Sequence, residues 1–162
     1  MSRDDYYSGI ADGYEKLHSE EQLKKLSLIR KHFRPKAPLL DIGAGTGIAI
    51  RFFNVDGVAL DPSEGLLKQY GGKKAVGVAE SLPFPDRTFN SIVSLTALHH
   101  VNDVDKAISE IKRVSKEGCI YAFTILKKAR NFQELKAKLE DNFKLKGIDE
   151  EKDLILVSRT CC

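Results

Sequence analysis

The chain has 162 residues, of which 42% are hydrophobic, and its 26 basic and 23 acidic residues give a formal net charge of +3 at pH 7. This length predicts a single domain spanning 1–162, and the hydrophobic share is sufficient for a buried core, so a disordered chain is excluded. The charges are scattered and form no basic patch of the kind that binds DNA. No apolar run could span a membrane, and the N-terminus is too polar for a signal peptide, so we expect a cytoplasmic protein without a membrane partner.

The three cysteines are too few for a disulfide framework, and their spacing matches no metal site. Cys119 lies in an apolar stretch, where a reduced, buried thiol is expected. Cys161 and Cys162 follow a predicted strand rather than a basic tail, so free thiols are expected there instead of lipidation. The sequence therefore predicts neither a disulfide nor a bound metal.

The first predicted element is an amphipathic helix in SEEQLKKLSLIRKHF. Ser19 and Gln22 have capping-box spacing, which predicts that the helix begins at this serine. Apolar residues at helical spacing predict its buried face: Leu23, Leu26, Ile29 and Phe33.

Strands and helices then alternate along the chain. The predicted strands are PLLDIG, Gly57–Leu60, KAVGVA, FNSIVSL, CIYAFTIL, Phe143–Ile148 and Leu154–Ser158. The predicted helices are Ile48–Phe53, one opened by DPSEGLL, Val104–Ser115 with Gly118 as its end, and one capped by Asn131 with Glu134 three residues later. This alternation predicts an α/β fold with a Rossmann-like, mostly parallel seven-stranded sheet and helices on both faces, and the short DEEKD connection predicts a C-terminal antiparallel hairpin.

The stretch LLDIGAGTGIAI places Gly43, Gly45 and Gly47 directly after the first strand. Ligands of open α/β sheets bind beyond the carboxyl ends of the strands, where the first strand-to-helix turn usually lies. Glycine permits left-handed backbone geometry and removes a Cβ from the path of a ligand. Close packing of helix on strand explains the same pattern, so the glycines alone leave both explanations open.

The residues around the turn narrow the choice of ligand. A dinucleotide fingerprint requires a third glycine where Ile48 stands, and Asp41 disfavours a pyrophosphate. No Gly-Lys-Ser/Thr follows the turn, which excludes a phosphate loop. Asp41 instead favours a cationic ligand. Asp61, at the end of the second strand, can accept hydrogen bonds from both hydroxyls of a ribose, although DPSE is also a helix-capping signature and the two roles can coexist.

Four segments in this order, LLDIGAGTG, VALDPSEGLL, VGVAESLPFPDRTFNSIVS and TALHHV, closely resemble the class I S-adenosylmethionine-dependent methyltransferases. The chain looks most similar to the branch that includes ubiquinone and menaquinone biosynthesis methyltransferases. The resemblance implies an N-terminal lid and helix in 1–34, a Rossmann-like core in 36–159, and S-adenosylmethionine as the cofactor, with S-adenosylhomocysteine as its product. It implies that these residues bind the cofactor: Asp41, Gly43, Ala44, Gly45, Gly47, Asp61, Pro62, Ala79, Glu80, Thr96, Tyr7 and Tyr14.

Two residues differ from those that are common at the same positions in the family. Val78 stands where relatives often have an aspartate for the adenine amino group, so adenine recognition is expected to depend on backbone and apolar packing. Asn90 replaces a common aspartate before strand four, with no consequence for the cofactor. The family also suggests that YYSGIADGYEKLH forms a lid with Tyr7, Tyr14 and His18 over the cofactor, and an ordinary helix that packs its aromatic residues explains the same pattern.

His99 and His100 are the candidate catalytic residues, because they follow strand four and titrate near neutral pH. A purely structural turn explains the pair equally well. We expect a small-molecule acceptor. The alternatives are a tRNA methyltransferase that acts with a small activating protein partner, in which the basic LKKARNF segment contacts phosphate, and a module that binds the cofactor without catalysis. A nicotinamide-dependent oxidoreductase shares the fold but conflicts with Asp41 and Ile48.

Overall fold

The computed structural model describes the backbone of residues 3–159 and the side chains of residues 16–159. Its strands are β1 (Leu39–Ile42), β2 (Gly57–Asp61), β3 (Lys74–Val76), β4 (Phe89–Leu95), β5 (Ser115–Leu126), β6 (Leu145–Asp149) and β7 (Asp153–Ser158). Its helices are α1 (Arg3–Arg30), α2 (Ile48–Phe53), α3 (Glu64–Leu67), α4 (Val104–Val114) and α5 (Phe132–Asn142), and a short 3-10 turn covers Leu98–His100.

All seven strands form one sheet in the order β3-β2-β1-β4-β5-β7-β6. β1 to β5 pair in parallel, whereas β7 is antiparallel to both β5 and β6. The predicted fold class is therefore confirmed, including the antiparallel hairpin. The direction of connection reverses beside β1, which lies between β2 and β4, and ligands of such sheets bind at this reversal.

Two apolar clusters cover the two faces of the sheet. One contains the buried side chains of α4 and α5, with Ile111 and Leu139 fully buried. The other contains residues of α1, α2 and α3, among them Leu26, Ile29 and Ile50. Because each parallel connection needs a helix, the chain covers both faces as it crosses from strand to strand.

The first helix differs from its prediction. α1 begins at Arg3 and runs through Ser19, so the capping-box spacing does not mark a start. Of the predicted buried residues, Leu26, Ile29 and Phe33 are buried, whereas Leu23 is 44% exposed. Gln22 and Lys25, which were not predicted, are buried on the same helix. Both polar residues line a cavity at the carboxyl edge of the sheet, and Lys25 forms an ion pair there with the buried carboxylate of Asp153.

Gly118 does not end α4 as predicted. The helix ends at Val114, and β5 begins at the next residue. Gly118 lies within β5 at φ 80, in the segment where the pairing register with β4 shifts between Phe89 and Ser91. The irregular pairing of this strand thus places the glycine in a left-handed conformation.

Smaller differences concern caps and thiols. Asn131 precedes α5 as predicted, but its side-chain amide donates to the carbonyl of His99 and does not cap the helix. Cys119 is a free, partly buried thiol, and Cys161 and Cys162 lie outside the described residues. Within residues 3–159, no helix is long and apolar enough to cross a membrane.

Candidate functional site

A large cavity opens along the carboxyl edge of the parallel strands. It has a volume of about 1070 Å³ and is lined by the ends of β1, β2, β4 and β5, the start of β7 and one side of α1. Ligand pockets usually have volumes of roughly 300 to 1,000 Å³. The volume of this cavity is thus at the upper end of that range.

The three glycines of the turn after β1 have different reasons to be glycine. All have positive φ, at 72° for Gly43, 57° for Gly45 and 85° for Gly47. A Cβ on Gly43 would lie 2.3 Å from the Cβ of Ala97, and one on Gly47 would lie 2.7 Å from the ring of Tyr70. A Cβ on Gly45 would meet no described atom within 4 Å and would project into open space. Packing and backbone conformation thus both favour glycine at the outer two positions, whereas at Gly45 only the left-handed conformation does.

The Asp61 carboxylate connects the turns that follow β1 and β2. Its Oδ2 accepts from the Gly45 amide at 2.9 Å, and its Oδ1 accepts from the Ser63 amide at 2.8 Å. Ser63, rather than Asp61, caps α3 by accepting from the Leu66 amide, so the capping role predicted for Asp61 is wrong. The reason is that Asp61 is still the last residue of β2. Each carboxylate oxygen retains a free lone pair for a further donor.

Asp41 is a buried carboxyl group with an unpaired oxygen. It is 2% exposed and lines the cavity, and its Oδ2 has no hydrogen-bond partner in the described part of the chain. Burial, reinforced by the nearby charge of Asp61, raises its pKa to about 7. Buried polar atoms in proteins are almost always paired, so this oxygen requires an explanation.

The side of the cavity next to β2 and β3 combines apolar surface with a fixed loop. Ala79 is buried and Val78 is 45% exposed, and both line the cavity. Glu80 also lines it, but its Oε2 accepts from the Asn102 amide at 3.1 Å. That bond connects the loop after β3 to the segment before α4. Ala44 and Pro62 complete the set of predicted cofactor residues on this wall.

Thr96 belongs to a buried polar network on the opposite side. It follows β4 with φ 53, a left-handed conformation that is strained for a β-branched residue. Its hydroxyl lies 3.0 Å from that of Thr124, accepts from Lys25 Nζ at 2.9 Å and lies 3.3 Å from Asp153 Oδ2. Sequence reasoning missed Lys25 and Asp153. The only signal for Lys25 was its position one turn before the buried Ile29 of an amphipathic helix.

The two candidate catalytic histidines lie in the 3-10 turn after β4, and both line the cavity. Their ring centroids are 3.8 Å apart. His99 is partly buried, and its Nδ1 is buried without a partner among the described side chains. Burial and the adjacent His100 lower the pKa of His99, so its imidazole is neutral at neutral pH. His100 is exposed.

Three further residues and one basic segment were predicted to contribute to the site. Tyr7 and Tyr14 fall outside the residues whose side chains are described, whereas His18 of α1 lines the cavity. Of the basic LKKARNF segment, Lys127 forms an ion pair with Asp149 at 2.6 Å and does not face the cavity. Among the side chains described, no group of three or more His, Cys, Asp or Glu residues could hold a metal ion.

Several known proteins are similar in sequence to this chain. An uncharacterised protein of Methanocaldococcus jannaschii is 33% identical over 132 residues, which cover 77% of this chain and 52% of that protein. A demethylmenaquinone methyltransferase of Thermobifida fusca is 33% identical over 136 residues, with 69% of this chain and 56% of that protein covered. The chain thus spans about half the length of these curated relatives.

Solved structures share the fold. A SAM-dependent methyltransferase of Thermotoga maritima superposes with a TM-score of 0.72 at 19% identity and covers 91% of this chain, with 94% of its own chain matched. A methyltransferase in complex with the Haloferax volcanii Trm112 methyltransferase activator superposes with a TM-score of 0.71 at 17% identity, with 94% of this chain and 93% of that chain covered.

The family model described as a methyltransferase domain matches residues 40–123, which contain the glycine turn, Asp61 and the histidine pair. This match confirms the resemblance that the sequence motifs indicated. The chain belongs to the methyltransferase domain family.

Proposed function

We propose that this chain is a single-domain, S-adenosylmethionine-dependent methyltransferase that acts on a small-molecule acceptor. One observation carries the proposal: the open space beside Gly45 and the buried Asp41, whose Oδ2 has no partner among the described residues, belong to the same cavity. A ligand that approaches the turn backbone closely and carries positive charge fits both features, and S-adenosylmethionine has an ammonium and a sulfonium group. The family match supports the same cofactor.

The described residues supply complementary contacts for the parts of this cofactor. In the proposal, Gly45 leaves room for its methionine portion and Asp41 balances its positive charge. Asp61 accepts from the ribose hydroxyls with its remaining lone pairs while it holds the turn through the Gly45 amide. Val78 and Ala79 provide an apolar wall for the adenine. Recognition of the adenine through the backbone and apolar surface agrees with the absence of an aspartate at position 78.

When bound, the cofactor supplies a methyl group that its sulfonium already activates. The protein therefore has to align the acceptor and exclude water rather than provide strong acid or base catalysis. The buried Asp41 holds positive charge in a low-dielectric wall, and the neutral His99 can accept a proton from an acceptor through its unpaired Nδ1. The exposed His100 shares the cavity but is less enclosed.

A partner-dependent tRNA methyltransferase is the second candidate. One fold neighbour was solved in a complex with a Trm112 methyltransferase activator, although a likeness at 17% identity shows the fold alone. In this chain, Val76 is an exposed apolar side chain on the edge strand β3 and does not line the cavity, a location suited to a protein partner. A non-catalytic module that binds the cofactor is the third candidate.

Calorimetry and methyl-transfer assays separate these functions. We expect S-adenosylmethionine and S-adenosylhomocysteine to bind and reduced nicotinamide dinucleotides not to bind. Radiolabelled methyl groups should then pass to a small-molecule pool from cells, whereas labelling of tRNA alone would favour the second candidate. Cofactor binding with no labelled product in either pool would leave the non-catalytic module. Binding of a dinucleotide alone would contradict the proposal.

Asp61→Asn should weaken S-adenosylhomocysteine binding by about 1 to 3 kcal/mol, because it removes a charged acceptor from the ribose site. Calorimetry measures the change. Asp56→Asn is the matched control, since Asp56 is exposed and precedes the same strand at its other end. Equal affinities for Asp61→Asn and the parent protein would exclude Asp61 from the cofactor site.

Substitution of alanine should mainly lower ligand affinity at Gly45 and mainly lower stability at Gly43. Gly45→Ala adds a methyl group to open space, so we expect its affinity for S-adenosylhomocysteine to fall at least about fivefold, with about 1 to 2 kcal/mol of stability lost to the left-handed conformation. Gly43→Ala adds a clash with Ala97 and should lose roughly a further 1 to 3 kcal/mol of stability. Melting temperature and affinity are measured on each preparation. Unchanged affinity in a folded Gly45→Ala would show that the turn does not hold the ligand.

Asp41→Asn should change how stability depends on pH. The folded pKa of Asp41, about 7, lies above its ordinary value of 3.8, so folding takes up a proton between these values and the stability of the ligand-free parent falls as pH rises from about 4 to about 7. The variant lacks this loss, so its melting temperature relative to the parent should rise across that window and level off above it, while its affinity for S-adenosylmethionine falls. Parallel melting profiles from pH 4 to pH 8 would contradict this account of Asp41.

A further inference from the structure

The part of the cavity beside β4, β5 and β7 contains a second group of buried polar atoms without partners. Gln22 Oε1 on α1, Asp153 Oδ1 at the start of β7 and His99 Nδ1 after β4 are buried and have no hydrogen bond to any described group. All three residues line the cavity. Polar atoms that stay unpaired in a protein interior lose their bonds to water, so such a cluster indicates that something else supplies the bonds.

Within this group Asp153 lies away from the Asp61 contact, whereas His99 follows β4, which is next to β1 and its glycine turn. β7 is four strands from β2, which carries Asp61, and strands lie about 4.8 Å apart, so the two ends of the cavity are separated by roughly 19 Å at sheet level. The glycine turn after β1 lies between them. The cofactor contacts and the unpaired atoms thus occupy two neighbouring subsites of one cavity.

A buried ion pair holds the second subsite in place. The Lys25 ammonium contacts Asp153 Oδ2, and their side chains are only 10% and 2% exposed. The hydroxyl of Thr96 joins the same pair and is itself bonded to Thr124. Lys25 therefore balances the charge of Asp153 and occupies one of its oxygens, which leaves Oδ1 as an acceptor without a partner in a residue that lines the cavity.

The chemistry of the three atoms restricts what binds there. A glutamine Oε1 and an ionised carboxylate oxygen only accept hydrogen bonds, and an imidazole that is neutral accepts one at its unprotonated nitrogen. A hydroxyl or amine can donate to these atoms. A carboxylate would instead place its oxygens against two acceptor oxygens, and the buried ammonium nearest to them, that of Lys25, is already paired with Asp153.

We propose that Gln22, Asp153 and His99 form the subsite for the methyl acceptor, and that this subsite selects a molecule that donates hydrogen bonds through a hydroxyl or an amine rather than a carboxylate. That the bound molecule is the methyl acceptor rests on the proposed function. The preference for molecules that donate hydrogen bonds depends only on the residues of the cavity. Lys25 and Thr96 are positioning residues that act through Asp153.

Four matched fragments test the preference: phenol, aniline, benzoate and toluene. Their affinities are measured by ligand-observed NMR on the full chain, both free and saturated with S-adenosylhomocysteine. We expect phenol and aniline to bind at least about threefold more tightly than toluene and benzoate, and to remain bound when S-adenosylhomocysteine is present. The ratio between phenol and aniline distinguishes a hydroxyl acceptor from an amine acceptor. Preference for benzoate, equal binding of all four, or no binding by either donor would overturn the proposal.

Variants assign the effect to the named atoms. Gln22→Met keeps the helix and the side-chain length but removes the acceptor, so phenol and aniline affinity should fall about three- to tenfold, while S-adenosylhomocysteine affinity stays within about twofold. Gln133→Met, an exposed position on α5, is the matched control and should change neither affinity. Equal loss in both variants, or no loss in a folded Gln22→Met, would remove Gln22 from the subsite.

The double variant Lys25→Met with Asp153→Leu removes both charges of the buried pair together. Replacement of both partners by apolar residues of similar size is usually tolerated by the fold, whereas removal of one partner leaves the other charge buried and unpaired. We expect a folded protein that binds S-adenosylhomocysteine and has lost the preference for phenol and aniline over toluene. A retained preference would contradict the role of Asp153. Failure of the parent protein to bind S-adenosylhomocysteine would overturn the proposed function and leave the fragment result to be judged on the free cavity.

Discussion

The bond between the Asp61 carboxylate and the Gly45 amide fixes the geometry on which the cavity depends. The turn after β1 and the turn after β2 meet at this carboxylate, which also holds the Ser63 amide at the entry of α3. Without a shared acceptor, two loops would leave backbone amides facing the cavity without a partner. With it, the glycine turn keeps a left-handed conformation that exposes its middle residue to a ligand.

The same edge of the sheet retains polar atoms that the fold does not satisfy. Asp41 at the end of β1 and Asp153 at the start of β7 each leave a buried oxygen unpaired, and the Thr96 backbone is strained between them. A chain selected only for stability would remove such features, since each is unfavourable in the free protein. Their concentration in one cavity is typical of a site organised for ligands.

Local patterns in the sequence predicted most of the fold. The apolar run PLLDI, the alternation of strands and helices and the spacing of Val104, Ile108 and Ile111 each depend on neighbouring residues, and the structure has β1, the sheet and α4 where they were expected. Caps were less predictable. Ser19 matches the capping pattern inside a continuous helix, because a capping sequence favours the start of a helix without requiring one.

Non-local contacts could not be predicted from the sequence. Lys25 and Asp153 are 128 positions apart, and neither belongs to a motif, so only the folded chain brings them together. Asn131 was expected to cap α5, and its amide instead reaches His99, 32 positions away. The glycine turn illustrates the same limit, since its pattern indicated a turn but could not distinguish Gly43, constrained by Ala97, from Gly45, which is not.

The insertion of β7 between β5 and β6 has a consequence for how the molecule assembles. Among the described elements β7 is the last in chain order, while its buried partner Lys25 belongs to the first. Contacts of such long sequence separation form late, because the intervening chain must be organised before they can close. During synthesis on a ribosome, the strands up to β5 can pair as they emerge. The wall of the cavity that contains the start of β7 can form only after β7 has been synthesised. The nascent protein therefore acquires the parallel part of its sheet before it acquires a complete binding cavity.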